Sequence, residues 1–213
     1  MDDSSRGILL VVSGPSGVGK GTVISGLVER YPEVALSLSC TTRQPREGES
    51  GEKDYQFVSD SEFEQMRRSG QLLEWAQVHG QHYYGTPREP AEQALATGRT
   101  LVLEIDYQGA KSVREQLGAQ AVLVFVAPPS WEALVERLHK RHTESQQAIA
   151  ERLASAREEI ENMGIYDYVV VNDEVAEAVQ QLSGILLAEQ QTIKRFDWRR
   201  LRDELLAQAD EWR

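Results

Sequence analysis

Ser13-Gly14-Pro15-Ser16-Gly17-Val18-Gly19-Lys20-Gly21-Thr22 has the residue types and spacing of a loop that binds phosphate. Gly14, Gly17 and Gly19 permit backbone angles and close approach that a side chain would block. Such a loop turns its N–H groups, and the N-terminus of the helix after it, toward an anion. Lys20 adds a mobile positive charge for the outer phosphates of a nucleotide. A hydroxyl residue usually follows the lysine and meets Mg²⁺; here Gly21 follows and Thr22 comes one later. Its contact with a metal is therefore expected to be indirect.

A second pocket is suggested downstream. Arg43 and Arg46 lie three apart in a polar stretch, Ser39 to Glu49, and two guanidinium forks suit a phosphate monoester. Taken alone, such a pair is more often a solvated face. Tyr55 and Tyr84 could donate phenolic hydrogen bonds to the same phosphate, or simply pack. Asp106 ends an apolar strand, which leaves two readings open from the residues: a partner of Mg²⁺, or a cap for the next helix. His79, His82, His139 and His142 show no metal-ligand spacing.

The elements that must position these groups follow from pattern. Residues 8–13 read as a buried strand, 20–30 as a helix, and 34–38 as a short strand. Further core strands are expected at 100–106, 121–126 and 168–171, with helices at 108–117, 131–140, 147–163 and 174–191 between and after them. Strands separated by helices predict an α/β protein with a parallel, doubly wound sheet. Residues 37–90 hold shorter strands, a capped helix from Ser59 or Asp60, and a hairpin around Gly80, so they read as an inserted mixed α+β lobe. Residues 195–213 read as an amphipathic helix with Phe196, Trp198, Leu201, Leu205 and Leu206. Packing on its own domain is the simpler expectation, and a partner contact is the alternative.

Composition narrows the classes. A net charge of −11 over 213 residues argues against a nucleic-acid surface, which rests on basic patches. Cys40 is the lone cysteine, which excludes an internal disulfide and a cysteine zinc site and suits a reducing, cytoplasmic setting. The five-residue apolar run after the polar start is too short for a signal or a membrane span.

Several strings together resemble guanylate kinase: Ser13 to Lys20, Ser39 to Arg46, Gly51 to Tyr55, Glu74-Trp75-Ala76, Tyr83-Tyr84-Gly85-Thr86, Leu103 to Ala110 and Val171-Asn172-Asp173. They stand in the family's order and cover about residues 7–190. Many small nucleotide kinases share the Gly-Lys-Gly-Thr form. The resemblance implies transfer of a phosphoryl group from ATP to GMP with Mg²⁺, in purine metabolism. It implies a core (7–36 and 91–190), a GMP-binding lobe (37–90), a helical lid (about 137–155) and, beyond the family domain, a helical extension (191–213). By resemblance, Gly14 to Thr22 hold ATP and Asn172 lies near its adenine. Arg43, Arg46, Tyr55 and Tyr84 hold the GMP phosphate, and Ser39, Glu74, Thr86 and Asp106 surround the guanine. Arg137, Arg141 and Arg152 match the arginines that the family closes over the transferring phosphate, with Lys20 and Arg43 completing the catalytic set. His142 stands where the family usually has glycine.

The chemistry agrees for Glu74. Guanine shows N1–H and an amino group side by side, and an ionised carboxylate accepts from both. Adenine would leave acceptor facing acceptor, which discriminates strongly. Two rivals remain at this point: a kinase for another nucleoside monophosphate, and a non-enzymatic domain of the same fold that holds a phosphorylated peptide. ATP and GMP are the expected partners, with no nucleic acid and no membrane, and with a homo-oligomer left open.

Overall fold

The computed structural model of the protein describes residues 7–45, 49, 51, 55–78, 82–140 and 146–210. Arg46, Arg141, His142 and the hairpin turn at 79–81 lie outside the described residues.

Strand β1 (Ile8–Ser13) is buried along its whole length. Apolar residues on both of its faces suit the centre of a parallel sheet covered by helices on either side. After it come α1 (Lys20–Arg30) and the edge strand β2 (Ala35–Leu36). Three further strands complete the sheet: β7 (Thr100–Glu104), β8 (Ala121–Ala127) and β9 (Tyr168–Val171). Their order is β2-β7-β1-β8-β9, and all pairings are parallel.

Alternation along β1 divides the core. Ile8, Leu10 and Val12 meet Val23, Ile24 and Leu27 of α1 and Ala178, Leu182 and Leu186 of α7 (Val175–Gln190). Leu9 and Val11 face the other way, onto Ala91 and Ala94 of α3 (Arg88–Ala96) and Ala110 and Val113 of α4 (Tyr107–Leu117). The sheet is thus doubly wound, as the spacing of strands and helices predicts.

Between β2 and α3 the chain builds a second sheet from β3 (Cys40–Thr41), β4 (Gln56–Phe57), β5 (Leu72–Val78) and β6 (His82–Pro87), in the order β4-β3-β6-β5. The β3–β4 pair is parallel and the other two are antiparallel. Sequence had Cys40 and Thr41 in a polar loop; both are fully buried and paired to Gly85 and Tyr84. Helix α2 (Asp60–Arg68) starts at a reciprocal cap between Ser59 and Glu62 and lays Phe63 on Tyr83, with ring centres 5.4 Å apart.

Helices α5 (Trp131–His139) and α6 (Gln146–Glu161) share a small core of Leu134, Leu138, Ile149 and Ala156. The last helix, α8, spans Trp198–Asp210. Its expected packing on its own domain is not found. Trp198 is half-buried, and residues 199–209 are all exposed. No helix among the described residues is long and apolar enough to cross a membrane.

Asp167 anchors β8 to the approach of β9. Its Oδ2 accepts from the Leu123 backbone N–H (2.8 Å) and pairs with the Arg114 guanidinium (2.5 Å). Replacing Asp167 with Ala should leave that N–H without its partner and cost about 1–3 kcal/mol. Equilibrium urea unfolding measures it, with an unchanged midpoint as the contrary result.

Candidate active site

The tips of β1 and β7 end side by side, and a cavity of about 520 Å³ opens above them, between the two sheets and α6. Its floor is the phosphate loop. Gly19 has φ 97°, a left-handed angle that favours glycine, and it starts α1 with no side-chain cap. The first N–H groups of α1 are therefore left for a ligand. A Cβ at Gly19 would sit 2.5 Å from Asn172 Nδ2, because Asn172 packs under the loop and donates to the Val18 carbonyl (2.7 Å). Lys20 Nζ lies against its own loop, donating to the carbonyls of Gly14 (2.5 Å) and Pro15 (3.3 Å).

Across the cavity, β3, β5 and β6 present the second group. Arg43 gives both guanidinium nitrogens to the Glu49 carboxylate (2.8 and 3.0 Å) and donates Nε to Tyr84 OH (3.1 Å). These hydrogen bonds, Glu49's first, raise its pKa further. The Tyr55 ring stands edge-on to Tyr84, 5.8 Å away, and Arg43 sits 5.4 Å from its centre. Burial, and next the charge of Glu104, push the Tyr55 phenol up.

Glu74 is 4% exposed. Thr86 Oγ1 donates to its Oε1 (2.6 Å). Burial raises its pKa to about 7, the Thr86 hydrogen bond opposes the rise, and Asp106 adds to it. Ser39 is buried on the same wall of the cavity. Asp106 caps α4, accepting from the Gly109 N–H (2.9 Å), and also lines the cavity. The capping reading is thus met without removing the other two.

From the side of α5 and α6, Arg152 of α6 donates to Ser16 Oγ on the loop (2.8 Å). Arg137 of α5 reaches the backbone instead, at Val18 O (3.2 Å) and Asp173 O (3.4 Å). Gly14, Ser16, Gly17, Gly21, Thr22, Arg43, Tyr55, Glu74, Tyr84, Asp106 and Arg152 thus line one cavity. Pro15, Val18, Thr86, Arg137 and Asn172 stand behind that lining, holding those that form it. Arg46 and Arg141 lie outside the described residues.

The family description "Guanylate kinase" matches residues 6–189. The chain belongs to the guanylate kinase family. A guanylate kinase of Desulfitobacterium hafniense is 49% identical over 193 residues, covering 91% of this chain and 96% of that one. One from Symbiobacterium thermophilum is 49% identical over 189 residues, covering 89% of each. The crystal structure of guanylate kinase from Anaplasma phagocytophilum superposes with a TM-score of 0.76 at 36% identity, over 90% of each chain. As a guanylate kinase, the chain is a nucleotide-binding transferase, and the family's reaction moves a phosphoryl group from ATP to GMP.

Three features of this guanylate kinase site escaped sequence reading. Glu49 occupies Arg43, and only the fold shows it. Glu159 lines the cavity from α6; its Oε2 is buried with no hydrogen-bond partner among the described residues. Burial raises its pKa to about 7 against the pull of Lys20, with Asp106 and Glu158 adding to the rise. It lies seven residues after Arg152, nearly two helical turns, and that spacing was the available signal. Gly109 is the third, because a Cβ there would meet Glu74 Oε2 at 2.6 Å.

Gly109 to Ala should therefore displace the Glu74 carboxylate while favouring helix α4 by local propensity. The KM for GMP should rise by about tenfold or more with the KM for ATP and the melting temperature nearly unchanged. Equal effects on both substrates would separate Gly109 from Glu74.

Proposed function

We propose that the chain acts as an Mg²⁺-dependent ATP:GMP phosphotransferase in the cytoplasm, serving purine nucleotide metabolism, with the lobe at 37–90 and the lid at about 137–155 closing on a core of 7–36 and 91–190. The observation that carries the reading is Glu74: a carboxylate buried opposite the phosphate loop, held by Thr86, with one oxygen bonded and acceptor capacity left over. The donor edge of guanine supplies what that site lacks. Ser39 and Asp106 flank it. Arg43, Arg46, Tyr55 and Tyr84 take the GMP phosphate, which displaces Glu49 from the guanidinium of Arg43.

The amides of Gly14 to Thr22 hold the ATP phosphates, and Asn172 supports them by fixing Val18. Lys20 leaves its two carbonyls for the outer phosphates. The attacking GMP oxygen is already anionic near neutral pH, so no general base is needed. Catalysis rests on alignment and on charge stabilisation. Arg152, Arg137 and Arg141 bring positive charge from the lid to the transferring group and exclude water on closure.

Among the described residues no three or more His, Cys, Asp or Glu groups gather as a metal site. In this reading the metal is carried in by the ATP phosphates and is touched by the protein through water. Thr22 and Asp106 would make those contacts, and the unpartnered Oε2 of Glu159 offers another acceptor. When bound, Mg²⁺ supplies neutralisation of phosphate charge.

The protonation of Glu74 gives the test. With a pKa raised to about 7 in the empty site, its ionised fraction grows as pH rises through that value. Only that form accepts both guanine donors. The KM for GMP should fall by about tenfold from pH 6 to pH 8. Part of the change below pH 7 comes from the GMP phosphate itself, whose second pKa is about 6. Glu74→Gln should raise the KM for GMP by roughly a hundredfold, spare the KM for ATP, and retain only that phosphate component. A pH profile identical in the variant, or equal losses for both substrates, would defeat the assignment.

A further inference from the structure

A guanidinium offers five N–H donors. In Arg43, Nε donates to Tyr84 OH (3.1 Å) and Nη1 donates to the Gln44 carbonyl (2.8 Å). Nη1 also donates to Glu49 Oε2 (2.8 Å), and Nη2 donates to Glu49 Oε1 (3.0 Å). Among the described residues a single N–H, on Nη2, is left over. A phosphate that takes two donors from Arg43 must therefore remove Glu49. On the acceptor site of the proposed function, and resting on it, we propose that Glu49 is a built-in competitor for the acceptor's phosphate. It sets the affinity for GMP, and for the product GDP, by holding Arg43 whenever the site is empty.

The cation is built into the sheet. The Arg43 backbone N–H donates to Thr41 Oγ1 (3.2 Å), and that hydroxyl donates to the Tyr83 carbonyl (3.0 Å) across the β3–β6 pairing. Its guanidinium lies against two rings, 5.4 Å from the centre of Tyr55 and 5.7 Å from that of Phe57. Glu49, by contrast, stands outside every helix and strand. Of the two partners, the carboxylate is the one whose departure breaks no strand pairing.

The pair is not a solvated surface contact. The side chains of Arg43 and Glu49 are 11% and 19% exposed, and both line the cavity with Tyr55 and Tyr84. Two carboxylate oxygens on one guanidinium copy the fork-to-fork geometry that a phosphate takes. They copy the charge incompletely, with one unit against about two for a phosphate monoester near neutral pH. The stand-in is thus the weaker ligand, and GMP displaces it. Guanosine has no phosphate with which to do so. GDP leaves the same guanidinium as it departs, and the return of Glu49 favours its release. A carboxylate that merely oriented Arg43 would have the opposite effect, strengthening the hold on GMP, so the sign of a substitution separates the two roles.

Calorimetric titration of the full chain in the absence of ATP reads that sign. Glu49→Gln should tighten GMP and GDP by about fivefold or more and leave guanosine unchanged. Glu49→Ala should act in the same direction, with the melting temperature of each variant as the check on folding. In an Arg43→Ala background, Glu49→Gln should change GMP affinity by less than about twofold. Weaker or unchanged GMP binding in Glu49→Gln would overturn the competitor and leave the acceptor site standing. So would a tightening that extends to guanosine or persists without Arg43, since neither passes through the guanidinium. A wild-type chain that does not bind GMP would defeat the acceptor site itself, and the competitor with it.

Discussion

One buried hydroxyl joins the two halves of the site. Ser13 ends β1 with no exposure, and its Oγ donates to the carbonyl of Ile105 (2.8 Å), at the tip of the neighbouring strand. On one side of that bond the chain enters the phosphate loop. On the other it enters Asp106, which caps α4 and so sets Gly109 against Glu74. The phosphate loop and the start of α4, whose Gly109 faces Glu74, thus leave adjacent parallel strands at a shared point. The C-terminal end of a parallel sheet is where such crevices form. In the proposed function, the register of β1 and β7 sets the spacing between the two substrates.

The charge balance around this point is unusual for a protein that takes two anionic substrates. The chain carries −11, and carboxylates of Glu74, Glu104, Asp106, Glu158 and Glu159 all reach the cavity. The cations among them are engaged: Lys20 with two carbonyls, Arg43 with Glu49, Arg152 with Ser16. Each of these partners is a weaker or more exposed ligand than a phosphate dianion. In the proposed function, binding exchanges internal hydrogen bonds for stronger charge-assisted ones rather than filling an open positive field. The two carboxylates raised to about 7, Glu74 and Glu159, are the ones that burial makes hardest to ionise. A proton on each lowers the negative potential in the empty cavity. Donors or metal-bound water from the substrates then favour its loss.

Much of this was legible in the sequence, and the parts that were not share a cause. The loop, the strands and their helices could be read because each is a local pattern: an apolar run, a 3.6-residue period, a string of glycines at fixed offsets. Glu74, Tyr84 and Thr86 were found as sequence strings, yet the 2.6 Å bond that joins Glu74 to Thr86 belongs to the β5–β6 pairing. Cys40 and Thr41 escaped because a two-residue strand has no period to detect, and only the β6 edge makes it a strand. Glu49 and Glu159 were not singled out, because their partners, Arg43 and the loop, reach them only through the fold. The C-terminal helix shows the opposite failure. Its amphipathic pattern was correct, but a pattern states which face avoids water and is silent on what covers it.

In the proposed function, helix α6 cannot act as a passive cover. Arg152 and Glu159 are seven residues apart on one helix, so they turn nearly the same face to the cavity. One side chain is a cation on the loop hydroxyl of Ser16; the other is a buried carboxylate near Lys20. A rigid helix moves both together. Any approach that strengthens the arginine's hold on a phosphate also brings the carboxylate's charge nearer to the same phosphates. That repulsion is relieved if the carboxylate is protonated or meets a hydrated cation. Under the proposed closure, the approach of α6 is coupled to what neutralises Glu159, and a hydrated cation carried by ATP would supply that neutralisation where ATP alone would not.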